Sequence, residues 1–543
     1  MTAAADLILT NAEVHTLQGP DDGDVADSTY EAVAVRDGRI VRLASAYDID
    51  FLAGTDTRVV DLDGRVVLPG FVDAHTHLSI VGRRLVHADL AVDSRSAALD
   101  RLRERGVDLA VEATGKDEDE WIQGFGYDES RWDDDRYLTR DELDGVSESA
   151  PVVAFREDMH VAGVNSRALD RLGLAAGDHE GDVRSDAGEP TGVLVEAAVD
   201  AVWEAVEPSR AETRTLLTAA QRRANERGVT AVHDMVRRSH APGVYRALER
   251  EGELTLRVRL NYWSDHLDAL REVGLRTNDG AGLVRVGAIK TFTDGSLGGR
   301  TAKLSDPYAD SDDTDGGSTG QWVVPPEELN DLVRVADAAG FQVAAHAIGD
   351  EAVDATLDAF AAVADDDGDE DAGDSGASRH RIEHAELADV AAIERMADLD
   401  VVASVQPNFH KWAAPEGLYD RRLGERRIET NRLRLMADAG VPLAFGSDCM
   451  PLDPLFGIHH AVNAPHEDQR LTVTEALRAY TSGGAYAGFD EEHLGTVAVG
   501  SRADLVALDA SPWERTDAID SIDPVLTVTD GRVVYDAVSS ADD

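Results

Sequence analysis

Eight short apolar runs between residues 66 and 490 limit what this chain can fold into. They are Val66–His77, Val229–Met235, Leu254–Tyr262, Val284–Asp294, Phe341–Ile348, His380–Ala385, Val401–Pro407 and Pro442–Asp448. Helical stretches such as Thr213–Arg227, Pro326–Ala339 and Thr474–Tyr480 separate several of them. Strands that alternate with helices predict a parallel sheet, and eight of them predict a (β/α)8 barrel in the α/β class. The barrel is expected over 66–490.

The two ends of the chain carry a different signal. Asp37-Gly38, Asp63-Gly64 and Asp530-Gly531 each lie between β-branched runs, and Asp-Gly in that setting is a hairpin signal. Two of the three precede residue 70 and one is near the C-terminus, so residues 1–65 with 491–543 are expected to build one small β domain. Some 150 residues part the first barrel strand from the second, too many for a structureless loop. An inserted subdomain is therefore expected over 84–205. The acidic low-complexity run Ala364–Ser378 reads as a surface loop.

Net charge is −53, from 52 basic and 105 acidic residues. Such a surface repels duplex nucleic acid and anionic membranes. It suits a high-salt cytoplasm, because at molar salt the Debye length is roughly 3 Å and carboxylate repulsion is screened. Cys449 is the only cysteine, which rules out an intrachain disulfide and a multi-cysteine zinc site. No basic segment followed by a long apolar core opens the chain, and no apolar run approaches ~20 residues. A soluble cytoplasmic protein is the expectation. Only Lys116, Lys290, Lys303 and Lys411 are lysines, so one within a strand, Lys290, stands out.

Polar residues end the apolar runs. His75 and His77 close the first, and a His-x-His pair on a strand puts both imidazoles on one face, where they can chelate a divalent metal. Lys290, His346, His384 and Asp448 end four others. Each has an ordinary explanation alone. His346 could be a hydrogen-bonded core histidine, His384 an ion-pair partner of Glu383 or Glu386, Asp448 a turn cap, and Lys290 an exposed strand end. His380 and His410 read as surface or supporting residues. In a barrel, however, strand C-termini converge on one face, where active sites sit. Convergence from such distant positions is the stronger signal, and a metal centre is the expectation.

The chain resembles the amidohydrolase superfamily, in particular the amidohydrolase-3 group that includes N-substituted formamide deformylases. The resemblance covers nearly the whole chain. It rests on Pro69-Gly70-Phe71-Val72-Asp73-Ala74-His75-Thr76-His77, on Lys290 with Asp294-Gly295-Ser296-Leu297-Gly298, and on His346-Ala347-Ile348-Gly349-Asp350, Glu383-His384 and Gly446-Ser447-Asp448. Asn165-Ser166 and Pro190-Thr191-Gly192-Val193-Leu194 add to it. Two segments depart: Asp158-Met159-His160 stands where Asp-Gly-His is usual, and Gly126-Tyr127-Asp128 where Gly-Trp-Asp is usual.

The resemblance implies a centre of one or two divalent ions of zinc type. His75, His77 and Asp448 would hold one ion and His346 and His384 the other, with Lys290 carboxylated between them. A lysine in an apolar strand has a lowered pKa, which favours the neutral amine that carboxylation needs. The implied reaction is hydrolysis of an amide or formamide C–N bond in a small molecule, with Asp448 handling the proton. Tyr127, Asp128 and His160 would contact substrate. Two rival readings stay open: a lactonase or cyclic-amide hydrolase on the same centre, and a non-catalytic metal-binding protein of the same fold. Metal count and homo-oligomerisation are left open too.

Overall fold

The computed structural model describes residues 4–19, 29–112, 120–178, 182–195, 197–311, 317–364 and 378–539. Most of the acidic run 364–378 lies outside the described residues. The chain divides into two compact units, Met1–Leu78 with Gln221–Asp543, and Ser79–Ala220.

The first unit holds eight parallel strands: β1 (Phe71–Thr76), β2 (Val229–Val236), β3 (Arg257–Trp263), β4 (Val284–Phe292), β5 (Val343–Ala347), β6 (Arg381–His384), β7 (Val402–Val405) and β8 (Leu443–Phe445). They pair in sequence order from β1 to β8. The barrel is nearly closed: β8 and β1 share no ladder, but the Gly446 Cα lies where an added Cβ would meet the His75 nitrogen at 2.4 Å. The helices expected from sequence are present as Arg210–Glu226, Pro326–Ala338 and Val473–Arg478.

The single strand expected over 66–77 is two strands in two sheets. Val66–Pro69 pairs with Leu505–Leu508 and Glu13–His15, whereas β1 pairs with β2. Gly70 is the joint. A Cβ there would meet the Thr230 side chain at 2.4 Å, so only glycine lets the chain pass from one sheet to the other.

Strands from both ends of the chain share one apolar core. A four-stranded sheet runs in the order Arg39–Ala44, Ala32–Arg36, Leu7–Thr10, Arg58–Asp61. A six-stranded sheet runs Arg532–Asp536, Pro524–Thr529, Leu505–Leu508, Val66–Pro69, Glu13–His15, Thr29–Tyr30. Leu7, Val35 and Val60 of the first pack with Val67, Leu505 and Val528 of the second. Two Asp-Gly pairs make two-residue hairpins, with Arg36 opposite Arg39 and Thr529 opposite Arg532. Both residues of each turn have positive φ, as a twist-matched hairpin requires. Asp63-Gly64 has the same φ signs but joins strands of different sheets, so there the dipeptide marks a turn and not a hairpin.

The second unit has its own mixed sheet, in the order Val183–Asp186, Glu189–Val195, Val161–Val164, Val152–Arg156, Ile122–Tyr127, Ala88–Asp89. Phe125, Phe155, Leu194 and Val202 lie in one of its cores.

Candidate active site

The barrel brings the sequence-marked residues of the first unit to the C-terminal strand ends. His75 lies near the end of β1 and His77 just beyond it. Lys290 and His346 lie in β4 and β5, His384 ends β6, and Asp448 follows β8. One nitrogen from each of His75 and His77 and a carboxylate oxygen of Asp448 lie within 4.8 Å of one another. The Asp448 Oδ1 is 3.6 Å from His75 Nε2 and 3.5 Å from His77 Nε2. The His75 and His384 ring centroids are 4.9 Å apart, and those of His346 and His384 are 4.4 Å apart.

Burial lowers the proton affinity of His77, His384 and Lys290. Burial, aided by His75 and Lys290, pushes His77 down to about 3. Burial with His346 and His75 beside it holds His384 well below the usual imidazole range. Lys290 is lowered to about 8, chiefly by burial, with Glu383 and Asp448 opposing. Its Nζ is fully buried, has no hydrogen-bond partner among the described residues and stands 5.0 Å from the Phe292 ring centroid. An orphaned buried lysine nitrogen, a carboxylate and imidazoles of which His77 and His384 resist protonation make a donor set that a divalent cation satisfies.

Hydrogen bonds also orient the imidazoles. His384 Nδ1–H donates to Gln406 Oε1 at 2.6 Å, and His346 Nε2–H donates to the Gly295 carbonyl at 3.0 Å. Histidine ligands of metals are held by such partners. Asp294 supports this wall of the site by accepting from the Ile348, Gly349 and Lys303 nitrogens, and burial raises it to about 7. His384-Ala385 and Asp448-Cys449 all have positive φ. For non-glycine residues this costs roughly 1–2 kcal/mol each, and such strain gathers at functional sites.

A layer beneath these residues carried no mark in the sequence analysis. Asp73 Oδ1 accepts from the backbone of His75 and of Ser447. Arg381 and Glu383 are fully buried, and Glu383 reaches His75 Nδ1 at 2.5 Å. The spacing held the signal, since Asp73, His75 and His77, and likewise Arg381 and Glu383, alternate at period two. His380 and His410, read as surface or supporting, are both buried. His380 Nδ1 accepts from the Val343 nitrogen and its Nε2 is 3.2 Å from Asp337.

Tyr127, Asp128 and His160 lie in the second unit. Tyr127 is fully buried against Trp132, and its hydroxyl has no hydrogen-bond partner among the described residues. Asp128 caps the turn Glu129–Arg131 and faces Arg156. The His160 nitrogen donates to Asp158. Met159 takes φ 65°, a left-handed conformation that glycine adopts without cost.

The sequence profile of the amidohydrolase family matches residues 58–535. The chain belongs to the amidohydrolase family. As a member it is a hydrolase, and it is similar to proteins aligned over nearly its whole length. YtcJ of Bacillus subtilis is 32% identical over 93% of this chain and 96% of its own length. The N-substituted formamide deformylase of Arthrobacter pascens is 28% identical over 99% of this chain and 100% of its own. A crystal structure of an uncharacterized metal-dependent hydrolase from Pyrococcus furiosus superposes with a TM-score of 0.73 and 30% identity, covering 93% of this chain and 99% of that one. Among the described residues no helix is long and apolar enough to cross a membrane.

Proposed function

We propose that this amidohydrolase uses the cluster at the barrel's C-terminal end to hydrolyse a non-peptide C–N bond, of amide or formamide type, in a small molecule. The observation that carries the reading is the buried, partnerless Lys290 amine beside histidines that resist protonation. His75, His77 and Asp448 would hold one zinc-type ion, His346 and His384 a second, and Lys290, carboxylated, would join them. A bound cation of this kind supplies an acidified water and a polarised carbonyl.

The chain's own part is proton handling and positioning. The Asp448 carboxylate, within 4 Å of two imidazoles, accepts the proton of the attacking water and returns it to the leaving nitrogen. The Gly295 carbonyl and Gln406 hold His346 and His384 in place. Substrate selection by Tyr127, Asp128 and His160 is part of the proposal on the sequence argument alone, as is a high-salt cytoplasmic setting.

The test combines metal analysis with an amide and formamide screen. Exhaustive chelation should abolish hydrolysis and zinc should restore it. Full activity in metal-free protein would end this reading. Metal content without turnover of any amide or formamide would favour the lactonase or the non-catalytic alternative.

A further inference from the structure

Arg381 and Glu383 form an ion pair with no exposed surface inside the barrel. A fully buried pair is a poor source of stability, because desolvating two charges offsets their attraction. Its geometry suggests another use. Arg381 Nε donates to Glu383 Oε1 at 2.5 Å, and Nη2 donates to Oε2 at 3.1 Å. Nη2 also reaches the Ala74 carbonyl at 2.6 Å and Ser404 Oγ at 2.7 Å, and Nη1 reaches His233 Nδ1 at 2.9 Å. The guanidinium is thus tied to β1, β2, β6 and β7, and it cannot turn without breaking several bonds. A guanidinium fork fixes the plane of the carboxylate it grips.

That carboxylate touches His75. Glu383 Oε2 lies 2.5 Å from His75 Nδ1. An ionised carboxylate only accepts hydrogen bonds, so Nδ1 carries the proton. In the neutral ring the lone pair is then on Nε2, the nitrogen that faces Asp448 at 3.6 Å. We propose that Arg381 and Glu383 are positioning residues for the metal centre: the fork orients the Glu383 carboxylate, which fixes His75 as the Nδ1–H tautomer with Nε2 as ligand. The inference rests on the metal reading above. It adds that His75 is made a ligand by two residues outside the proposed ligand set.

Glutamine at 383 is the informative change. Its amide can donate as well as accept, so it can support the opposite tautomer, which places a proton on the ligand nitrogen. The experiment uses the full chain. Nitrogen-15 spectra of histidine-labelled, metal-free protein should show His75 with its proton on Nδ1, the signal being assigned by its loss in His75→Asn. Zinc affinity is then measured by competition with a chelator. Glu383→Gln should bind zinc about 10–100-fold more weakly, the range for lost outer-shell partners, with the rest of the fold intact. If the lone Arg381 charge unfolds that variant, the neutral pair Arg381→Met with Glu383→Gln takes its place, with the same expected loss. A proton on Nε2 in the wild type, or wild-type zinc affinity in either folded variant, overturns the inference. If the wild type itself takes up no zinc, the metal reading fails instead, and the tautomer spectrum still decides the hydrogen-bond assignment.

Discussion

The backbone nitrogen of Asp448 donates to the carbonyl of His75 at 2.8 Å, so the last barrel strand is joined to the first at the site itself. Asp73 reinforces the seam by accepting from both His75 and Ser447. Close approach is possible because Gly446 has no side chain: a Cβ there would lie 2.4 Å from the His75 nitrogen and 2.6 Å from its Cβ. Gly446→Ala must therefore force the strands apart. The expected loss of stability is about 1–3 kcal/mol, as for other overpacked sites, with weakened zinc uptake because His75 moves. Denaturant midpoints and metal content check this together, and an alanine variant unchanged in both would contradict the tight seam.

In the proposed reaction Asp448 would both hold an ion and handle the proton. Asp448→Asn preserves shape and backbone and removes the charge and the basic oxygen. The turnover number should fall by about 10²–10⁴, the usual worth of a positioned general base, while the melting temperature stays near that of the parent. Steady-state rates on any accepted amide give the answer, and a near-parental rate would assign the proton to another group.

Much of this was legible in the sequence, for identifiable reasons. Barrel strands are buried on both faces, so they stand out as apolar runs, and a polar residue at the end of such a run is conspicuous. His75, Lys290, His346 and His384 were visible in that way. The joint at Gly70 was hidden, because Val66–Pro69 and Phe71–Thr76 read as one apolar stretch and only the Thr230 contact requires the break. Arg381 was hidden for a different reason. A charged residue that opens a strand reads as solvent-facing, and its burial depends on Ala74, His233 and Ser404, which come from three other strands. The Asp63-Gly64 turn misled because local chemistry fixes a turn but not which sheet the next strand joins.

Asp234 offers a pH test on a carboxylate that is not itself a proposed ligand, although it lies beside the strand that carries His75 and leads to His77. Its carboxylate accepts from the Leu78 nitrogen at 2.8 Å and from the Tyr245 hydroxyl at 2.7 Å. Burial outweighs these bonds and raises it from 3.8 to about 6. A group raised on folding contributes stability that is fully present below its unfolded value and lost as pH climbs through the folded value. The shift corresponds to at most about 3 kcal/mol. Asp234→Asn keeps the shape and removes the titration. Its stability should match the parent near pH 3.5 and exceed it at pH 8, with the gap opening between pH 4 and 6. Urea midpoints at fixed salt across that range test this, and a constant gap would show that Asp234 does not titrate on folding.

The net charge of −53 makes the last prediction. Like charges crowded on a folded surface favour expansion, since unfolding increases their separation. Screening lengths shrink from about 10 Å at 0.1 M to about 3 Å at 1 M salt, so potassium chloride should remove most of this repulsion between exposed carboxylates. Buried pairs such as Arg381–Glu383 are screened far less and should be indifferent. The melting temperature should therefore rise steadily from low to molar potassium chloride. Most of the gain should persist when choline chloride replaces it, because screening does not depend on which monovalent cation is present. A melting temperature that stays flat or falls would contradict the high-salt reading. A rise confined to potassium would point to specific cation sites instead of screening.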